Sequence, residues 1–181
     1  MAPVPRLVLT GSESTGKTTL AAGLAVHYRT SWVPEFARAY AESRGGALTA
    51  ADVEPIAAGQ RAAEDAAAGD AGLVVLDTNL LSTAVYARHY YGLTVDWLEA
   101  ALAPPPPAFY LLCDIDLPWS ADGIRDRGDD RQAMQGRFED ALEQRGLPFA
   151  LIRGTGPDRL ARAIAAADRW LAGLEPGFRI R

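Results

Sequence analysis

The chain has 181 residues, 49% hydrophobic and 23% charged, which suits one buried core and is short for two ordinary domains. A formal net charge of -5 argues against a protein that coats nucleic acid, because such proteins need excess positive charge to displace counterions. The lone cysteine, Cys113, excludes an internal disulfide framework, and no run approaches the roughly 20 apolar residues of a membrane helix.

The first segment, MAPVPRLVLT, has no long apolar stretch behind a charged start and leads into a glycine-rich loop. It reads as a strand over Arg6 to Thr10 rather than as a signal peptide, and a cytoplasmic protein is the expectation. Residues 11 to 18, GSESTGKT, fit G-x-x-x-x-G-K-[ST], with the predicted strand before them and a predicted helix, Lys17 to Tyr28, after them. In such a loop Gly11 and Gly16 let the backbone turn. The N–H groups of Ser14, Thr15, Gly16, Lys17, Thr18 and Thr19 then face phosphate oxygens at the positive end of a helix. Lys17 is placed to reach the β- and γ-phosphates of ATP or GTP, and the Thr18 hydroxyl to ligate Mg²⁺. Lys17 is also the only lysine beside 17 arginines. From the chain's own composition the motif has about one chance in a thousand of arising at random. The planar fork of arginine does not replace a compact ammonium inside such a loop, which explains why lysine persists here alone.

TSWVPEFARAY follows, with a strand over Ser31 to Val33 and a helix over Glu35 to Ser43. Glu35 is placed to accept the proton of a substrate hydroxyl, and Arg38, one turn on, to bind a hydroxyl or a phosphate oxygen. The alternative is an ordinary ion pair on a first helical turn. Trp32, Phe36 and Tyr40 supply flat apolar surface, as a slot for a base or as core. A helix over Ala50 to Ala68, with Thr49 as N-cap and Asp52 in its first turn, precedes a strand over Leu73 to Asp77. Asp77 stands at a carboxyl strand end, where open α/β sheets bind ligands, and would be the second Mg²⁺ group. Its alternative is capping the next helix, Leu80 to Tyr90, for which Asn79 is better placed.

A helix over Val95 to Leu102 and a stiff Pro104 to Pro107 spacer lead to a strand over Phe109 to Cys113. Beyond it, Arg125, Arg127, Arg131 and Arg137 gather in a segment that contains Gly123 and Gly128. This reads as a hinged lid over about residues 118–137, or else as a solvated charge-mixed loop. From the lid, Arg125 or Arg131 would neutralise charge on a transferring phosphoryl group. Helices over Asp130 to Arg145 and Pro157 to Leu171 flank the last strand, Phe149 to Ile152. His27 and His89 stand alone, which sets aside a zinc site and a Ser-His-Asp triad. Five apolar runs alternating with helices predict an α/β chain with a mostly parallel five-stranded sheet.

Taken in order, GSESTGKTTL, TSWVPEFAR, VVLDTNLLSTAVYARHYYG and LLCDIDLPWSADGIRDR resemble the kinase domain of NadR-type ribosylnicotinamide kinases within the P-loop superfamily. The likeness covers nearly the whole chain. It implies a three-layer P-loop NTPase fold with a helical lid, ATP as co-substrate and Mg²⁺ as metal. The implied reaction is transfer to the ribose 5′-hydroxyl of nicotinamide riboside, giving nicotinamide mononucleotide. Glu35 and Arg38 match the family's Glu and Arg after the second strand. Asp77 and Thr78 match its Asp-Thr pair, and Trp119, Asp122, Gly123 and Arg125 match residues before the lid helix. The implied catalytic set is Lys17, Glu35, Asp77 and Arg125, with Glu35 or Asp77 as base. Trp32, Glu35, Phe36, Arg38 and Asp77 would meet the substrate.

The pattern departs from the family in three places. Asn79 stands where some members have a second Asp, and Pro34 and Ala63 stand where ring-flanking Trp and Tyr are expected. The H-x-G-H element of a nucleotidylyltransferase is missing, so a stand-alone kinase is the expectation. A kinase for another nucleoside or small alcohol, and a P-loop ATPase or nucleotide-sensing module acting on a protein, stay open as alternatives. The expected partners are a nucleoside and ATP, without nucleic acid or membrane, and a homodimer is among the oligomeric states left open.

Overall fold

The computed structural model describes residues 3–69, 71–102, 107–119 and 130–174. Five short apolar runs pair in one sheet: β1 (Arg6–Thr10), β2 (Trp32–Val33), β3 (Val74–Asp77), β4 (Ala108–Cys113) and β5 (Phe149–Ile152). Their order is β2-β3-β1-β4-β5, and every neighbouring pair is parallel. Parallel strands need crossovers, and helices supply them: α1 (Lys17–Tyr28), α2 (Phe36–Ser43), α3 (Val53–Ala68), α4 (Leu80–Tyr91), α5 (Asp96–Ala101) and α6 (Arg131–Gln144), while α7 (Gly156–Ala172) follows β5.

Side chains alternate between the faces of each strand, and helices cover both faces. Leu7 and Leu9 face one layer with Leu24 of α1 and Ala163 of α7. Val8 faces the other with Ala57 of α3, Leu81 of α4 and Phe138 of α6. Burying each such leucine or phenylalanine contributes about 1.5–3 kcal/mol. The expected three-layer P-loop fold is therefore present. From β1 the chain builds β3 and β2 on one side and β4 and β5 on the other, so a crevice opens beyond the carboxyl end of β1.

Local chemistry adjusts several boundaries. The helix expected from Ala50 begins as a 3₁₀ turn over Ala50–Asp52, and α3 starts at Val53. Asp52 causes this: its Oδ2 accepts both the Thr49 backbone N–H and the Thr49 hydroxyl at 2.8 Å, tightening the turn. α2 starts at Phe36, which leaves Glu35 at the N-cap, and Asn79 caps α4 by accepting from the Leu81 N–H at 3.0 Å. Pro157 is the second residue of α7, not the first. The Pro107 carbonyl accepts the Arg6 N–H at 2.8 Å as the chain enters β4. The rest of the proline run, and the lid residues Asp122, Gly123, Arg125, Arg127 and Gly128, lie outside the described residues. No helix among the described residues is long and apolar enough to cross a membrane.

Glu64 of α3 is buried beside β1, where its Oε2 accepts from Arg6 Nη1 at 2.8 Å. Burial pushes its carboxyl up to about 7, against the opposing pull of the Gln60 side-chain N–H and Arg6. A raised carboxyl pKa means that the folded chain holds this proton more tightly than the unfolded one does. The stability it contributes is full below the ordinary carboxylate range and is lost as pH rises through about 7. The melting temperature of wild type minus that of Glu64→Gln should therefore shrink between about pH 5 and about pH 8. A difference that stays constant across that range would show that Arg6 keeps Glu64 ionised throughout.

Candidate active site

The glycine-rich loop joins β1 to α1 through three left-handed residues, Gly11 (φ 122°), Ser14 (φ 52°) and Gly16 (φ 74°). One of them, Gly11, also lacks room for a side chain: a Cβ there would lie 2.8 Å from the Cys113 carbonyl oxygen, whereas one on Gly16 would meet only the movable end of Leu117, Cδ1 at 2.8 Å. Lys17 is buried at the start of α1, and its Nζ donates to the carbonyls of Gly11 (3.1 Å) and Ser12 (2.7 Å). The ammonium thus closes the loop from inside. Thr15 Oγ1 closes it again by donating to the Ser12 carbonyl at 2.8 Å.

Side chains distant in sequence brace this loop from outside. Gln135 of α6 accepts the Ser12 N–H at 3.0 Å and donates to the Cys113 carbonyl at 3.0 Å. Arg159 of α7 donates from Nη2 to the carbonyls of Thr15 and Asp114, both at 3.0 Å, and from Nη1 to that of Gly154 at 2.7 Å. Arg131 donates from Nη2 to the carbonyls of Ser14 (3.3 Å) and Leu117 (3.1 Å). In this structure the Nη2 donors of Arg131, expected from the sequence to reach a phosphate, go to these loop carbonyls. Thr19 is exposed on the first turn of α1.

β3 lies beside β1 with Asp77 opposite Leu9, which carries the Asp77 carboxylate to the end of the loop. Thr18 Oγ1 donates to Asp77 Oδ2 at 2.6 Å. Burial raises the Asp77 pKa, the Thr18 hydroxyl lowers it, the charge of Glu35 raises it further, and Lys17 and Arg38 pull it down. Its other oxygen, Oδ1, is buried with no hydrogen-bond partner among the described residues. An orphaned carboxylate oxygen beside a hydroxyl and a phosphate loop fits Mg²⁺, which takes one or two protein oxygens and fills its remaining positions with phosphate and water. No cluster of three acidic, His or Cys side chains among the described residues offers a metal cage of another kind.

Two cavities meet at this edge of the sheet. One, of about 310 Å³, is polar and is lined by Lys17, Thr18, Asp77, Arg38 and Glu13 with the loop backbone. The other, of about 320 Å³, lies among α2, α3 and α4, where Val53, Ile56, Tyr86, Tyr90 and Tyr91 face Gln60, Thr78 and Ser82. Glu35 lines both. Its side chain is 9% exposed, and its Oε2 stands 3.9 Å from Arg38 Nε. It is thus more than the surface ion pair that the sequence also allowed.

The aromatic expectations need correction. Trp32 pairs with Val75 in the sheet and packs into the layer of α1 and α7, because its neighbour Val33 takes the face towards the second cavity. Phe36 packs on α3, where any Cβ on Gly59 would overlap its ring. Neither lines either of these two cavities. The aromatic wall comes instead from α4, where the Tyr86 and Tyr90 rings stack at 5.8 Å with 1° between their planes. The i, i+4 spacing of Ser82, Tyr86 and Tyr90 was the available signal, since it puts all three on one helical face. Gln135 and Arg159 carried no motif. Their role depends on tertiary contacts.

The pattern that defines a family described as an AAA domain matches residues 6–159 of the chain. Two curated relatives are the trifunctional NAD biosynthesis/regulator proteins NadR of Escherichia coli (strain K12), 30% identical over 156 residues, and of Salmonella typhimurium (strain LT2), 29% identical over 157 residues. These alignments take in 82% and 83% of this chain but only 38% of each relative. A crystal structure of NadR protein in complex with NR superposes with a TM-score of 0.79 at 22% identity, covering 95% of this chain and 52% of that one.

The loop geometry yields one direct test. Gly11→Ala would put a β-carbon against the Cys113 carbonyl at a backbone angle that costs about 1–3 kcal/mol for an ordinary residue. It should lower the melting temperature and weaken binding of a non-hydrolysable ATP analogue at least about tenfold by calorimetry. Unchanged affinity would mean that the close approach does not shape the loop.

Proposed function

Because the chain belongs to the AAA-domain family of P-loop proteins, we propose that it is an ATP-dependent phosphotransferase that phosphorylates the ribose 5′-hydroxyl of nicotinamide riboside, giving nicotinamide mononucleotide for NAD salvage. Residues 1–181 act as one kinase unit, in the cytoplasm. The observation that carries this reading is Glu35, a carboxylate shared by a polar phosphate cavity and an aromatic cavity of nucleoside-base character. The likeness to NadR proteins, one of them solved in complex with NR, supports the choice of acceptor.

The chain's own groups divide the work. The loop N–H groups and the α1 N-terminus receive the triphosphate, and Lys17 exchanges the carbonyls of Gly11 and Ser12 for phosphate oxygens. Thr18 and Asp77 would hold Mg²⁺, which supplies charge neutralisation on the phosphates when bound. Glu35 accepts the proton of the 5′-hydroxyl as the hydroxyl oxygen bonds to the γ-phosphorus and the bond to the ADP oxygen breaks. Asp77 is the runner-up base: Thr18 occupies its Oδ2, and the Mg²⁺ role proposed for it would take its Oδ1. Arg38, on the wall of the phosphate cavity, steadies the moving charge. The tyrosines of α4 form the wall for the base, and their ring faces suit a cationic pyridinium. A second reading, a kinase for a different nucleoside, draws on Pro34, which is exposed, and on Ala63, which packs in the core where the family carries an aromatic.

ADP release across a nucleoside panel that includes nicotinamide riboside, with products identified by mass, decides among these. We expect phosphorylation of nicotinamide riboside, no turnover by Lys17→Ala, and a kcat at least about 100-fold lower for Glu35→Gln with the KM for ATP nearly unchanged. Near-normal kcat in Glu35→Gln removes it as the base. An ADP release that no nucleoside alters replaces the kinase with an ATPase.

A further inference from the structure

We propose that Gln60 is a positioning residue that fixes Glu35 and Asp77 relative to each other by holding the backbone one residue beyond each. This rests on the kinase reading above. Gln60 lies on α3, 2% exposed, in the wall of the aromatic cavity. Its Oε1 accepts the N–H of Phe36, the residue after Glu35, at 3.1 Å. Its Nε2 donates to the carbonyl of Thr78, the residue after Asp77, at 3.4 Å, and to Glu64 Oε1 at 3.1 Å. One amide therefore spans β2's exit and β3's exit, the two places from which the carboxylates project.

The backbone sets which way the amide faces. The Phe36 N–H can only donate and so takes the oxygen end of Gln60, and the Thr78 carbonyl can only accept and so takes the NH₂ end, whether or not the Glu64 carboxyl holds its proton. Arg6, Glu64 and Gln60 thus form a line from the first strand to the proposed acceptor site.

Thr78 explains why such a hold is required. Its φ is 69°, a left-handed backbone that a β-branched residue adopts only when its surroundings impose it. Two bonds impose it: the Thr78 N–H donates to the Leu9 carbonyl at 3.0 Å, and the Thr78 carbonyl accepts from Gln60. Relaxation of this residue would turn the adjoining Asp77 away from Thr18. With both ends of its amide engaged by protein, Gln60 acts on the carboxylates and not on the base.

Three variants in full-length protein separate positioning from packing. Gln60→Leu removes both arms. Gln60→Glu keeps an acceptor for Phe36 but loses the donor for Thr78 and faces a second carboxylate at Glu64. The double exchange Gln60→Glu with Glu64→Gln relieves that clash and still offers Thr78 no donor. Melting temperature, the KM for ATP, and kcat and KM for the acceptor found in the nucleoside panel are read for each, with ATP hydrolysis serving if no nucleoside is accepted. We expect kcat to fall about 10- to 100-fold in all three with the KM for ATP within about twofold, while the double exchange regains the melting temperature that Gln60→Glu loses. Recovery of kcat together with melting temperature in the double exchange would make Gln60 merely structural. A raised acceptor KM at unchanged kcat would make it a ligand contact, and either result overturns the proposal. Absence of any nucleoside-dependent turnover in wild type removes the kinase reading alone, because the same split is then read on hydrolysis.

Discussion

The hydrogen bond of 2.6 Å from Thr18 to Asp77 joins the loop after β1 to the end of β3, and the site is organised around that joint. It exists because β3 lies beside β1 with Asp77 opposite Leu9, and because Gly16 lets the chain turn into α1 at the right residue. Sheet order, loop conformation and carboxylate placement are therefore one constraint expressed three times. Loosening any of them separates the hydroxyl from the acid.

The loop itself is held by polar contacts. Its carbonyls at Gly11, Ser12, Ser14 and Thr15 accept from Lys17, Arg131 and Arg159, and its Ser12 N–H is taken by Gln135. A guanidinium as buried as that of Arg159, 4% exposed, would be costly without partners, and the carbonyls of three separate segments meet its donors. This geometry keeps the phosphate-facing N–H groups preformed, so little reorganisation is needed when charge arrives.

The donor half was legible because it depends on local chemistry. A glycine where φ is positive, a lysine in a chain of arginines and an acid after an apolar run are visible one residue at a time. The aromatic cavity depends on parity and on contacts across the fold. β2 is only two residues long, too short for alternation to reveal which face Trp32 or Val33 would take. Phe36 looked like a ring for a base, yet the bare backbone of Gly59 makes a seat for it on α3. Tyr86 and Tyr90 lie in a quoted block but resemble ordinary helix packing until α2 and α3 are placed opposite. Nothing in the sequence singles out Gln60 or Arg159, and only their tertiary burial brings them into view.

Glu35 is the one side chain common to the linings of the two cavities among the described residues. The phosphate-loop cavity is built from loops at the sheet edge, and the aromatic cavity from the facing sides of α2, α3 and α4. Such a partition makes the fold modular. Because Gln60 of α3 holds the residue after Asp77, the separation is cleanest at α4, where substitutions on the cavity face can reshape the aromatic chamber while the loop contacts of Lys17 and Thr18 stay as they are.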